Sequence, residues 1–576
     1  MTSPINRVRT PTHRSFDGDH RLLVAVAAAV SLLSFVYYFQ RGEILLYGDA
    51  VAHINIARRV FDSQTPGLLQ LGTVWLPLPH LLMIPFLASD WMWRTGVGGS
   101  MLSMIAYVLG VIGIFRLTWS LLESNERTQP LARAGAWIAA LVYGANPNLI
   151  YLQTTAMTEP LYLAFFIWSV VYFAEFWLLQ PEATPVPVDS RRSLYKCALC
   201  LAAAELTRYD GWFLAAVMGT IGFLLLLPRW NDRTFRPAAL KFLVIIAAAP
   251  LLWLAYNAAV YGNPLEFANG PYSAKAIEQR TSQPGYPAHP GAGNPVMAAS
   301  FFLKSAELNM AEGNWGRIWI AIAFVGSVAG MRLGVSRVLL LLGAPLLFYA
   351  MSIAYSGVPL FLPIWWPFTW YNLRYGLQAL PLFAVSAALT VSALLAAAAA
   401  EGALRKLFAP SLKRWPDTNL IFLGTCAVLL LIVALSYGFV WRSQPLCYTE
   451  ARVNSRTKMA LELSVAKVVS ALPHDSTYLM YLGDHVGVFQ QAGIALRQVI
   501  NEGNHRPWKK PADPEGLWER ALADPARHAD FVIAYEGDAV DQAIAKSELT
   551  LLTEIHTSGQ PRARIYAART VLNQPR

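Results

Sequence analysis

Long apolar runs alternate with short polar turns along this chain, and the run lengths predict its architecture. Residues 21–40, 99–122, 132–152, 158–179, 194–207, 211–228, 240–261, 315–331, 338–355, 375–400 and 420–440 are apolar, and most reach the roughly 20 residues a helix needs to cross hydrocarbon. About eleven transmembrane helices are expected. Residues 41–98 are broken by Gly48, Pro66, Gly67, Pro77, Pro79 and Pro85. Helical pieces at 50–62 and 78–89 are too short to span and are expected to lie on the membrane surface. Beyond residue 440 the pattern changes: helical stretches at 465–472 and 517–522 mix with β-type runs at 477–482, 531–535 and twice more near the C-terminus. A soluble α/β domain is predicted there.

Composition supports this division. With 55% hydrophobic and 14% charged residues, the chain falls well short of the roughly 25% charge of soluble domains and reads as a polytopic membrane protein. The formal net charge of +10 comes from Lys and Arg spread through short loops, which excludes the dense basic patch of a nucleic-acid binder and reports orientation instead. Arg127 and Arg133; Arg191, Arg192 and Lys196; Arg229, Arg233, Arg236 and Lys241; Arg332 and Arg337; and Arg405, Lys406, Lys413 and Arg414 mark successive inside loops. Intervening turns such as 146–157 carry no Lys or Arg.

The chain then reads as a disordered cytoplasmic tail (1–20), an uncleaved signal anchor (21–40) opening a transmembrane region (21–440), and an extracytoplasmic domain (441–576). The first outer loop is 41–98, and a second long outer loop is 262–314. The expected location is the inner membrane. Asp17-Gly18-Asp19 in the tail is a chance D-x-D. Cys197 and Cys200 form a C-x-x-C with no second pair or nearby His, so they are small packing residues rather than a zinc site.

The candidate chemistry lies where apolar runs meet outer loops. Asp49 and His53 are four residues apart, on one face if the segment is helical; the alternative is an interfacial helix that Asp49 merely caps. Glu159 opens a span in TTAMTEPLY, Arg208 and Asp210 sit between two spans in AELTRYDGW, and Arg374 enters another in WYNLRYG. Ionisable groups at the hydrocarbon boundary are costly and usually pair or serve a site. All of these fall at the same face of the membrane in the expected topology.

In order and spacing these features resemble the integral-membrane GT-C glycosyltransferases, the class of protein O-mannosyltransferases and the lipid A aminoarabinose transferase. The resemblance rests on Gly48-Asp49 with His53 and Arg58, Thr158-Glu159-Pro160, Leu206-Thr207-Arg208-Tyr209-Asp210, Asn263-Pro264-Leu265-Glu266-Phe267 with the following PYSAK, and Asn372-Leu373-Arg374-Tyr375-Gly376. It covers roughly residues 21–440.

The resemblance implies a GT-C-like helical membrane domain that moves a sugar, of hexosyl or mannosyl type, from a polyprenyl-phosphate donor to an acceptor hydroxyl with inversion. The acceptor would be a lipid, a glycan or a protein. Asp49 would be the general base, with Glu159 and His53 assisting; Arg208, Arg374 and Lys275 would hold the donor phosphate, supported by Arg58, Asp210 and Tyr375. No nucleotide-binding fingerprint is present, in keeping with a lipid-linked donor. A divalent metal shared by Asp49 and Glu159 stays open. Ala50 follows Asp49 where the protein-mannosylating branch often has a second acid, which argues against that branch. A transporter or lipid-linked-sugar flippase is the competing class, but its ionisable residues would sit near the midplane on repeated, broken helices.

Overall fold

The computed structural model describes residues 13–568 other than 127, 179–186, 272, 277–287, 392–393, 395–417, 484, 506–513 and 546. Residues 1–12, the expected inside-loop residues Arg127, Arg405, Lys406, Lys413 and Arg414, most of the 375–400 span beyond residue 391, and Asp484 lie outside this set.

Among the described residues, seven helical segments are long and apolar enough to cross a membrane: Gly18–Gln40, Val97–Glu123, Glu159–Leu178, Asp210–Arg229, Phe235–Tyr261, Ser336–Tyr355 and Phe422–Val469. Each coincides with an expected span, and the chain is a polytopic helical membrane protein. The 132–152 span is two helices, Ala132–Gly144 and Pro147–Leu152. Asn146 makes the break: its side chain accepts from the amides of Asn148 and Leu149, and Pro147 fills the first helical position. The 194–207 and 315–331 runs lie in helices Val188–Glu205 and Gly313–Arg332, which carry more charge.

Two element boundaries differ from expectation. The first helix begins at His13, because Asp19 is buried and pairs with Arg133 at 2.7 Å, extending helical structure into the expected tail. The last span, Thr418–Ser443, is followed after Gln444 and Pro445 by a second long helix, Leu446–Val469. That helix leads into a five-stranded sheet of order β2-β1-β3-β5-β4, with β1 Tyr478–Met480, β2 Val499–Ile500, β3 Phe531–Tyr535, β4 Leu549–Ile555 and β5 Ala563–Ala568. Strands β2, β1 and β3 are parallel, and β5 and β4 are antiparallel. The three residues of β1 and five of β3 are all buried, as befits central strands covered on both faces.

This C-terminal region packs directly on residues 41–98. Asn55 donates to Gln490 at 2.8 Å, Gln490 donates to the Trp93 carbonyl at 2.8 Å, Asn504 bonds Ser63 and Thr65, and Arg497 reaches Asp62. The Gly48–Arg59 helix is consequently covered, with buried residues that include His53, Ile54, Asn55 and Arg58. It does not lie open along a membrane surface, because the C-terminal region occupies that face.

Candidate functional site

Six ionisable or hydrogen-bonding residues singled out in the sequence meet at this junction. Asp49 sits in the first turn of the Gly48–Arg59 helix, whose N-cap is Tyr47 and has no side-chain capping bond. Its carboxylate instead accepts from Arg374 Nη2 at 2.6 Å. The Asp49 side chain is 44% exposed, whereas that of Arg374 is 7% exposed, so the carboxylate faces open space from a buried anchor.

Arg374 opens the 3-10 helix Leu373–Ala379. Its direction is set by Asn372, which takes a left-handed φ of 57° and donates to the Pro359 carbonyl at 2.7 Å; asparagine tolerates that conformation better than most side chains. The Leu373 carbonyl is held by Ser305 Oγ at 2.7 Å and Asn309 Nδ2 at 2.8 Å. Gly376 lies so close to the Pro295–Met310 helix that a Cβ there would stand 2.5 Å from the Ser305 carbonyl carbon.

From this footing Arg374 spreads across three carboxylates. Besides Asp49 it donates from Nε to Glu159 at 3.0 Å and from Nη1 to Glu450 at 3.1 Å, and Glu450 also accepts from the Arg374 backbone amide at 3.3 Å. Arg208 shares the same oxygen of Glu159 at 3.0 Å and approaches Asp210 at 3.4 Å. Tyr349 donates to Asp210 at 2.8 Å and receives Arg208 Nη2 at 3.2 Å, and Gln378 bonds both Asp210 and Tyr349. The Tyr375 ring lies 4.8 Å from the Arg208 guanidinium carbon and 5.2 Å from that of Arg374, a cation–π bridge between them.

Three candidates fall elsewhere. His53 is 2% exposed and faces His80 across an Nδ1 to Nε2 distance of 2.9 Å, with the Trp75 ring tilted against it at 4.7 Å between centroids; burial, then Arg208 and Arg374, push its pKa down to about 3. It is a neutral, buried partner of His80, and its hydrogen bond is not to Asp49. Arg58 is a clamp within residues 41–98, donating to Asp62, the Leu87 carbonyl and Asp90. Lys275 is exposed, and the cluster's hydrogen bonds do not include it.

Two residues of the site come from beyond the membrane region and were missed. Glu450 and Lys458 lie on the Leu446–Val469 helix and, with Asp49 and Arg374, line a pocket of about 230 Å³. A Cβ on Gly48 would lie 3.5 Å from Lys458 Nζ. Glu450, Asn454, Lys458 and Glu462 recur every four residues, and all line the pocket; that polar ridge was the available signal. As for a metal, no group of three or more His, Cys, Asp or Glu among the described residues is placed to hold an ion. The cluster's carboxylates are held by guanidiniums, a poor fit to a divalent ion.

This arrangement of helices and C-terminal sheet is shared with solved structures. It aligns over 97% of this chain and 99% of the other with ArnT from Cupriavidus metallidurans bound to undecaprenyl phosphate, at a TM-score of 0.57 and 14% identity. The apo state of the same protein aligns at 0.54 and 13%, covering 98% of this chain and all of the other. At these identities the fold is what is shared. No protein-family model matches the sequence, and no curated protein matches it.

Proposed function

We propose that this protein is an inverting glycosyltransferase that moves a sugar from a polyprenyl-phosphate donor to an acceptor hydroxyl at the extracytoplasmic face of the membrane. The observation that carries this reading is Asp49, half exposed in a pocket and held at 2.6 Å by a buried, immobilised arginine. One Asp49 oxygen is anchored by Arg374, leaving the other to take the acceptor's proton. The acceptor oxygen then attacks the anomeric carbon from the face opposite the phosphate, the carbon–oxygen bond to phosphate breaks, and its electron pair leaves on the phosphate.

The leaving phosphate needs cations. Arg374 has five N–H donors, of which three are engaged by Asp49, Glu159 and Glu450; the two that remain can meet a phosphate as a fork. Yet the cluster sets four carboxylates, Asp49, Glu159, Asp210 and Glu450, against two guanidiniums. That formal excess of two negative charges opposes a phosphate, and Lys458 in the same pocket offsets one of them. Glu159 and Glu450 fix the Arg374 fork, and Arg208 holds Glu159.

The N-terminus is cytoplasmic and residues 441–576 are extracytoplasmic in this proposal, as the basic inside loops indicate. Neither the sugar nor the acceptor class is assigned by these residues. The test offers purified protein in lipid a panel of polyprenyl-phosphate sugars and follows transfer or hydrolysis with the anomeric configuration of the product. Inverted product from one donor supports the proposal; turnover of none of them overturns it.

A further inference from the structure

The pocket that holds Asp49 and Arg374 continues along the Leu446–Val469 helix past Lys458 to Glu462 and Val486. Glu462 Oε1 at that end, and His485 Nδ1, Gln491 Oε1 and the Tyr535 hydroxyl behind the pocket lining, are buried without a hydrogen-bond partner among the described residues. Glu462, His485 and Tyr535 are each at most 5% exposed. Folded proteins leave only a few such atoms unbonded per hundred residues, so four in one neighbourhood mark a position where a polar ligand completes the set.

They are mutual neighbours. The His485 ring stacks on Tyr535 with centroids 4.0 Å apart, and His485 Nδ1 is 3.9 Å from Glu462 Oε1. A Cβ on Gly487 would lie 2.6 Å from Glu462 Oε2 and 3.3 Å from Gln491 Nε2, so only glycine leaves the carboxylate and the amide room side by side. A separation of 3.9 Å is too long for a hydrogen bond, but a hydroxyl placed between the two atoms meets each at about 2.8 Å.

The chemistry selects the ligand. A hydroxyl both donates and accepts, so it can give its proton to the carboxylate while accepting from the phenol or the imidazole. A phosphate would be repelled by Glu462. Burial and then Lys458 lower the His485 pKa to about 4, which keeps the imidazole neutral and suits it to a neutral ligand. The pocket, at about 230 Å³, is smaller than the roughly 300–1,000 Å³ typical of ligand clefts, which favours one sugar ring over an extended peptide.

We propose that Glu462, His485 and Tyr535, with Gln491, form a subsite for the hydroxyls of a saccharide, and that this saccharide is the acceptor whose reacting hydroxyl reaches Asp49. The acceptor role rests on the glycosyl-transfer proposal; the saccharide subsite rests on the buried, unbonded groups.

Saturation-transfer NMR on the full-length protein in lipid nanodiscs tests it, with methyl α-mannopyranoside and methyl β-glucopyranoside as sugar probes and N-acetylserine amide as the peptide probe. At least one glycoside should receive saturation, and the effect should fall at least tenfold in Glu462→Gln and in Tyr535→Phe, the latter keeping the ring on His485. Absence of any glycoside signal, which would mean that bound water alone fills the site, overturns the proposal, as does parent-like binding by both variants or binding of the serine probe instead. Glycoside binding without turnover of any polyprenyl-phosphate sugar would sink the transferase proposal and leave the subsite standing. Transfer to the serine probe without glycoside binding would do the reverse.

Discussion

Replacing Arg374 with alanine should unfold the protein before it can be assayed for catalysis. The side chain is 7% exposed and donates to Asp49, Glu159 and Glu450, the last two of which are 0% and 1% exposed. Removing it leaves Glu450 with no other ion pair among the described residues and Glu159 with Arg208 alone. Breaking a buried ion pair by deleting one partner costs about 3–5 kcal/mol, and at about 1.4 kcal/mol per decade the folding equilibrium shifts by about two to three and a half orders of magnitude. Equilibrium unfolding in mixed micelles, read by tryptophan fluorescence, measures this. In an Arg374→Ala/Glu450→Ala protein one orphaned carboxylate is gone, so the loss attributable to Arg374 should shrink by about 1 kcal/mol or more. Arg374→Lys, which keeps a charge but not the fork, should fall between parent and alanine. An alanine variant within about 0.5 kcal/mol of the parent, as at an ordinary surface site, would refute the claim that Arg374 anchors these carboxylates.

Three further outcomes are expected. Gly376→Ala puts a methyl 2.5 Å from the Ser305 carbonyl carbon and 2.6 Å from the Ala306 amide; it should cost about 1–3 kcal/mol by overpacking and, by displacing Arg374, lower turnover about 100-fold, so a parent-like kcat would remove the close approach from the site's construction. An unfolded chain protonates His485 near pH 6.5 and the folded one only near pH 4, whereas neighbouring Glu462, pushed up to about 7 by burial, acts in the opposite sense, so it is the stability of the parent relative to His485→Gln that should drop as pH falls from about 6.5 to about 4, by on the order of 3 kcal/mol; a parent–variant difference that does not change with pH would contradict this. A cysteine at exposed Ala545 should react with an impermeant maleimide in intact cells, and labelling only after permeabilisation would reverse the topology.

The membrane helices were legible because a span must be both long and apolar, and seven such segments stand where hydropathy put them. Asp49, Glu159, Arg208, Asp210 and Arg374 stood out for a related reason, a charge beside hydrocarbon being conspicuous, and Tyr375 came with Arg374 through the resemblance. The pattern could not show which charges meet. Asp49 and Arg374 are 325 residues apart and Arg374 and Glu450 are 76 apart, and only the packed helices bring them together. His53 illustrates the limit of local periodicity. Four residues after Asp49, it shares a helix with that carboxylate, yet the helix is enclosed on several sides and His53 finds His80. Arg58 is likewise consumed by Asp62 and Asp90. Glu450 and Lys458 escaped notice because their helix, mixed in charge, looks like an ordinary solvated surface until the first outer loop covers it.

The most direct measurement is the turnover of Asp49→Asn. Asparagine preserves the shape of the side chain and one oxygen for Arg374, but it cannot take the acceptor's proton. Turnover should fall by at least about 10²- to 10⁴-fold, the range for loss of a general base, while folded protein is recovered from the membrane in parent-like yield and still binds polyprenyl phosphate. Near-normal turnover at normal yield would contradict the assignment of Asp49 as the base and move the proton transfer to another carboxylate of the cluster.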